Sequence, residues 1–93
     1  MPKHRTALEK AAGRLVSSVQ KVWILELGED EAASSERALE QAHLLLQAAA
    51  AGELRAVLGA RSVEEFLGEL WVLQHPTTYQ AIQAFKLELM SER

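Results

Sequence analysis

Residues 62–90 read SVEEFLGELWVLQHPTTYQAIQAFKLELM, and this stretch decides the fold class. Apolar residues recur every three or four positions on both sides of His75-Pro76, which is the spacing of one helical face. Pro76 has no amide proton and disfavours helical backbone at the residue before it, so the first helix should end by about Gln74. The stretch therefore predicts two helices that pack as an antiparallel pair.

Both predicted helices carry a start signal. Ser62 precedes Glu65 by three residues, and Thr77 precedes Gln80 by the same interval. A hydroxyl at the N-cap can accept a hydrogen bond from the amide three residues on, and the Glu or Gln there can bond back to the N-cap amide. We therefore expect a capping box at each start.

The N-terminal third predicts a long helix over about His4 to Leu27. Its apolar seam advances by alternate steps of four and three residues, as in a coiled-coil face. The seam positions are Leu8, Ala12, Leu15, Val19, Val22 and Glu26. Four basic residues fall on the opposite face, namely Lys3, Lys10, Arg14 and Lys21. A solvated helix back explains them most simply, and contacts with an anionic partner are the alternative.

The end of this first helix is apolar on every side. Val22, Trp23, Ile24 and Leu27 cannot all face one core from a single helix, because a helix that is apolar all round must be covered all round. Burial at the centre of the bundle, an edge strand and an interface with another chain are the competing explanations, and we rank helix above strand. Exposed apolar patches often mark interaction sites, so this surface is the predicted partner-binding site.

The middle of the chain predicts a second long helix that starts with Asp30 or Ser34 as its cap and ends at Ala51. Its expected seam comprises Ser35, Leu39, Ala42, Leu46 and Ala49. Gly52 and Gly59 bracket one or two further turns of helix, which should connect the second helix to the pair over residues 62–90.

The sequence thus predicts an all-α fold, a small antiparallel bundle of four main helices plus one short connecting helix, in a single helical domain over residues 1–93. Trp71 and Tyr79 should pack at the margin of the core. The expected core residues are Leu8, Leu15, Val19, Val22, Leu39, Leu46, Phe66, Leu70, Ile82 and Phe85.

Composition excludes several classes of function. The chain has no cysteine, which removes disulfides, thiolate metal sites and cysteine nucleophiles. A net charge of −3 argues against general nucleic-acid binding, although residues 1–25 are basic and residues 26–57 acidic. No apolar run reaches the roughly 18 residues of a membrane-spanning helix. We therefore expect a soluble, cytoplasmic protein that contacts no membrane.

Catalytic and metal-binding motifs are also sparse. Glu40 and His43 form one Glu-x-x-His pair, with Glu36 a turn earlier, but a di-metal bundle needs a second such pair on a facing helix. The serines lack a nucleophile elbow and the five glycines are scattered rather than gathered into a phosphate loop. The sequence therefore predicts no enzyme, no metal and no cofactor.

One functional alternative remains. The predicted helical pair over residues 62–90 has the outline of a DNA-binding helix-turn-helix, whose second helix opens with short polar residues. It departs from that motif where Leu67 and Trp71 replace a small residue and a glycine, and where glutamates would face phosphates.

The preferred interpretation is a non-catalytic protein-protein interaction module, such as a small adaptor, inhibitor, immunity protein or chaperone. Its partner would be another protein or a second copy of the chain, and homodimerisation through the apolar helix end is the specific expectation.

Overall fold

The computed structural model describes residues 6–30 and 32–91 of the chain. Within these ranges it has helices and no strand, which confirms the all-α prediction. A 3-10 turn at Pro76–Thr78 joins the last two helices. The helices are α1 (Ala7–Leu25), α2 (Ala32–Ala51), α3 (Leu54–Leu58), α4 (Val63–Leu67), α5 (Glu69–Gln74) and α6 (Tyr79–Ser91).

Helix α1 begins with a capping box and forms the centre of the fold. The Thr6 hydroxyl accepts from the amide of Glu9 at 3.1 Å, and the Thr6 amide donates to the Glu9 carboxylate at 3.4 Å. The predicted start at His4 lies outside the described residues. α1 packs against both α2 and α6, and Leu15 and Val19 on its inner face are fully buried. The helix ends at Leu25, two residues before the predicted end.

Helix α2 buries a different stripe from the predicted one. Ser35 and Ala42 are buried as expected, but the other buried positions are Ala38, Leu45 and Ala48, each one residue before the predicted Leu39, Leu46 and Ala49. Helix α1 also buries two alanines, Ala11 and Ala12, and small side chains on both helices let α1 and α2 approach closely. Leu39 and Leu46 pack at the edge of the core. Ser34 lies inside α2, so its prediction as the cap is wrong.

The predicted helix over residues 63–74 is two helices. Its capping box is confirmed, since the Ser62 hydroxyl accepts from the amide of Glu65 at 3.1 Å. Gly68 then interrupts the helix with φ 118° and ψ 106°, a backbone conformation that L side chains rarely adopt. The side chain of Gln41 on α2 donates to the carbonyl of Phe66 just before this break.

The break changes which side of the second half is buried. In α5, Trp71 and Val72 face the core, whereas Leu70 is 73% exposed. The prediction of Leu70 as a core residue is therefore wrong, because it assumed one straight helix. The predicted marginal position of Trp71 is also wrong, since this side chain is only 6% exposed.

Pro76 ends α5 at Gln74, as predicted, but the start of α6 differs from the prediction. Residues Pro76–Thr78 form a 3-10 turn, so Thr77 lies within that turn rather than at the N-cap of a helix. The hydroxyl of Thr78 donates to the carbonyl of His75 at 2.7 Å and is fully buried. The predicted capping box of Thr77 and Gln80 is therefore wrong.

The core is a single cluster to which every α-helix contributes. Ile82 and Phe85 of α6 are fully buried and pack the helix against α1. An ion pair between Lys86 of α6 and Glu64 of α4, with a nitrogen–oxygen distance of 2.8 Å, adds a polar link at the edge of this packing.

Candidate functional site

The end of α1 is anchored by a side chain that turns back into the fold. Glu26 is the C-cap of α1, and its amide bonds to the carbonyls of Val22 and Trp23, both at 3.1 Å. The chain then turns away at Gly28, whose φ is 90°. The carboxylate of Glu26 bonds to two other parts of the chain.

Four side chains from α1, α2 and α5 form one hydrogen-bonded network. The indole nitrogen of Trp71 donates to the Ser35 hydroxyl at 2.9 Å. Ser35 in turn donates to one carboxylate oxygen of Glu26, and His75 bonds to the other oxygen at 2.8 Å. The His75 ring also stacks on the Trp71 indole, with the ring centroids 4.4 Å apart. We call this set of Glu26, Ser35, Trp71 and His75 the polar clamp.

Both ring nitrogens of His75 face oxygen acceptors. Nδ1 lies 2.8 Å from the carbonyl oxygen of Trp71, and Nε2 lies 2.8 Å from the Glu26 carboxylate. The hydrogen bonds from Ser35 and then His75 lower the pKa of Glu26 from its ordinary value, against the opposing effect of burial. The clamp is therefore built around a charged carboxylate.

The order of groups in the polar clamp differs from that of a nucleophilic triad. In a triad, histidine lies between the serine and the acid and removes the serine proton. Here the carboxylate lies between Ser35 and His75, and Ser35 is fully buried. The clamp instead joins the ends of α1 and α5 to the start of α2, which holds the apolar end of α1 in one orientation.

The predicted partner-binding residues divide into two pairs. Ile24 is 51% exposed and Leu27 is 56% exposed. Val22 and Trp23 are half-buried, and Val22 packs against the core. Leu25 belongs to the same apolar stretch and is 82% exposed, but it is not among the predicted partner-binding residues. Its signal was present, since Leu25 follows Lys21 by four residues and so lies on the basic outer face of α1.

An open groove of about 780 Å³ runs along this outer face, and we call it the α1 groove. Three of the four predicted basic residues line it, and Lys3 lies outside the described part of the chain. Small residues of α1, the side chains of Val22 and Leu25, and Thr77 from the 3-10 turn complete it. The structure thus joins the predicted basic set to the apolar end of α1. The basic residues concerned are Lys10, Arg14 and Lys21.

The acidic and histidine positions of α2 lie elsewhere. Glu36, Glu40 and His43 are all exposed on the outer face of the helix. Over residues 6–30 and 32–91 the structure shows no group of three His, Asp or Glu residues that could hold a metal ion. Within the same ranges no helix is both long and apolar enough to cross a membrane.

Helix α5 presents a second apolar surface that the sequence analysis did not predict. Leu70 and Leu73 are 73% and 63% exposed, and Leu73 borders a cavity of about 220 Å³ against α6. They became exposed through the break at Gly68, which no local pattern revealed. Both lie away from the α1 groove lining, so they provide a control surface for experiments.

The segment proposed as a helix-turn-helix has no free cation to offer phosphates. Lys86 is the only lysine or arginine of residues 62–90, and its ammonium group donates to the Glu64 carboxylate at 2.8 Å. Its first helix is also split at Gly68. DNA binding remains a prediction that no contact in this region favours.

Comparison of the chain with protein-family models, with curated proteins and with solved structures finds no significant match in any of the three.

Proposed function

We propose that this protein is a non-catalytic protein-protein interaction module that binds another protein, or a second copy of itself, through the apolar end of α1. The observation that carries the proposal is the exposure of Ile24, Leu25 and Leu27, each more than half accessible to solvent. Large apolar side chains grouped at one place on a surface favour contact with a partner, because covering them releases ordered water.

The polar clamp supports the same proposal through rigidity. A surface that keeps one conformation loses little conformational entropy when a partner binds. Val22 is anchored on the core, and Glu26 is tied to Ser35 and His75 on either side. Ile24 and Leu25 therefore lie on a helix end, and Leu27 on the turn that follows it, both held in place before binding.

Pull-down from the native host tests the proposal. Ile24→Glu and Leu27→Glu replace exposed side chains, so the fold should remain intact while the apolar contact is lost. Leu70→Glu, at the exposed position on α5, is the matched control. We expect co-purifying protein with the wild type and with Leu70→Glu, and none with the two variants of the α1 end.

Light scattering tests self-association directly. A dimer mass for the wild type that falls to the monomer mass in Leu27→Glu would identify a second copy as the partner. A monomer at all concentrations, combined with a set of captured proteins that Ile24→Glu and Leu27→Glu leave unchanged, would contradict the proposal.

A further inference from the structure

We infer that the α1 groove is the docking site for an acidic amphipathic helix of a partner protein, whose carboxylates face Lys10, Arg14 and Lys21 and whose apolar residue packs beside Leu25. This inference rests on the proposed function, since it names the chemistry of the partner that covers the end of α1. It goes further by assigning the basic face of α1 to the same contact.

The exposed apolar side chains at the end of α1 are too few to form a stable interface by themselves. Ile24, Leu25 and Leu27 are three side chains, whereas a stable interface covers about 800 Å² on each partner, or roughly 20–30 residues a side. A partner that covers these three must therefore extend onto neighbouring surface. The α1 groove is that neighbour, because Val22 and Leu25 belong to its lining together with the three basic residues.

The charge of the groove specifies what extends into it. Lys10, Arg14 and Lys21 are exposed, and the ion pairs of the described residues are Glu26–His75 and Glu64–Lys86, which involve none of the three. One carboxylate, Glu88 of α6, lines a neighbouring pocket together with Lys10 and Arg14. Because the three positive charges exceed the single negative charge of Glu88, they favour a partner segment that carries several carboxylates.

The geometry favours a helical segment. From Lys10 to Leu25 the lining follows one side of a straight helix for about 22 Å, at about 1.5 Å per residue. The floor between the basic residues consists of Gly13, Ser17 and Ser18, whose small side chains let a second helix approach closely. A partner helix with glutamates at matching intervals would place carboxylates beside the three basic residues, and a leucine at one end of it would pack beside Leu25.

A second copy of this chain fits the groove poorly. A two-fold dimer places the same surface of both copies in contact, so the basic residues of one α1 would face those of the other. Like charges brought together in an interface oppose association. Glu36 and Glu40 of α2 are exposed but do not line the groove, and pairing them with it would be a head-to-tail contact, which produces a ring or an open chain of copies rather than a two-fold dimer. The occupant is therefore another protein.

Binding of a designed peptide tests the inference. The probe is a helix-stabilised peptide of about 18 residues, about 27 Å long, with four glutamates along one face and a leucine at the end of that face. A peptide with glutamine at the four positions is its control. We expect the acidic peptide to shift the backbone NMR signals of residues 10–25, with affinity that falls as salt rises, and the glutamine peptide to bind more weakly.

Variants of the protein locate the contact. The double change Lys10→Glu and Lys21→Glu should weaken binding of the acidic peptide by at least about tenfold, because attraction becomes repulsion. Arg37→Glu makes the same type of charge change on the exposed face of α2 and should leave the affinity within about twofold. Leu25→Ala should weaken binding while keeping the salt dependence, since it removes only the apolar contact.

Other outcomes overturn the inference. Absence of shifts in residues 10–25, or equal weakening by Arg37→Glu, would contradict it. Tighter binding of mixed duplex DNA or of phosphatidylserine vesicles than of the peptide at the same residues would assign the groove to polyanions instead. Failure of the peptide, while Leu27→Glu still abolishes capture of a host protein, would remove the acidic helix and leave the proposed function standing.

Discussion

Single residues at the polar clamp connect local structure to the exposed end of α1. Ser35 is a fully buried hydroxyl that accepts from Trp71 and donates to Glu26, so it satisfies two other polar groups at once. A buried donor or acceptor that loses its partner costs more than the hydrogen bond contributed, because it cannot return to water. The clamp therefore makes this short polar side chain a contributor to stability.

Replacement of Ser35 by alanine should lower the free energy of unfolding by about 1–3 kcal/mol, since Trp71 and Glu26 each lose a partner. Urea denaturation followed by tryptophan fluorescence measures this directly. Ser34→Ala changes the adjacent, exposed serine of the same helix and should have almost no effect. Equal stability of the two variants would show that the clamp contributes nothing to folding.

The lowered pKa of Glu26 predicts a dependence of stability on pH. Because the folded protein binds a proton at this carboxyl more weakly than the unfolded chain does, the contribution is complete above the ordinary pKa of 4.5 and is lost as the pH falls through the folded value. The pKa of Glu64 is lowered too. Burial alone would raise the pKa of Glu64, but its hydrogen bonds with Lys86 and the backbone together lower it by more.

Replacement of Glu26 by glutamine should therefore destabilise the protein at neutral pH and have a smaller effect at an acid pH below the folded pKa of Glu26, where the wild-type carboxyl is also neutral. Denaturant unfolding at both pH values checks this, with Glu29→Gln, an exposed carboxyl of the same turn, as the control. The prediction fails if the difference between wild type and Glu26→Gln is the same at both pH values.

At the scale of elements, Gly68 decides which side of α5 faces the core. The positive φ at this residue ends α4 and reorients the next turn, so that Trp71 and Val72 are buried and Leu70 and Leu73 are exposed. A continuous helix would have carried the apolar stripe of α4 onward to Leu70. The glycine therefore creates the second apolar surface of the molecule.

Replacement of Gly68 by alanine should destabilise the protein by about 1–3 kcal/mol, because alanine is strained at this φ. Space is not the cause, since an added Cβ would lie 3.6 Å from the Cβ of Trp71, an ordinary contact. Thermal or urea unfolding measures the loss. Glu69→Ala, at the exposed neighbouring position, should change the free energy of unfolding by less than about 0.5 kcal/mol, and a Gly68→Ala protein as stable as this control would contradict the prediction.

At the scale of the whole molecule, two long helices and α6 enclose most of the core while α3, α4 and α5 are short. Helices of five or six residues do not hold together alone, because one turn of helix costs more entropy than its hydrogen bonds return. Their stability depends on packing and on the polar clamp. The molecule should therefore open locally from this side.

Hydrogen exchange measured by mass spectrometry should show the slowest amides in the middle of α1 and α2 and faster exchange in α3 and α5. Addition of a partner should slow exchange at residues 22–27 first, where the exposed apolar side chains lie. Equal protection across all six helices would show that the short helices unfold only together with the rest of the fold.

Local patterns in the sequence determined the helical class, the cap at Ser62 and the end of α5 before Pro76. They also indicated that the apolar residues of Val22–Leu27 cannot all face the core. These features depend on residues within a few positions of one another, so spacing and side-chain chemistry are enough to predict them. The same holds for the basic residues of α1, which the helical period places on one face.

Tertiary structure alone decided which leucines are buried and which groups meet. Periodicity places residues on a common face but does not say which face the rest of the chain will cover, so the predicted stripe of α2 matches the buried one only at Ser35 and Ala42, and the predicted core includes the exposed Leu70. The polar clamp joins Glu26 to His75, which are 49 positions apart. Such contacts arise only when the helices pack, because no local interaction requires a carboxylate at the end of one helix to find a hydroxyl and an imidazole from two others.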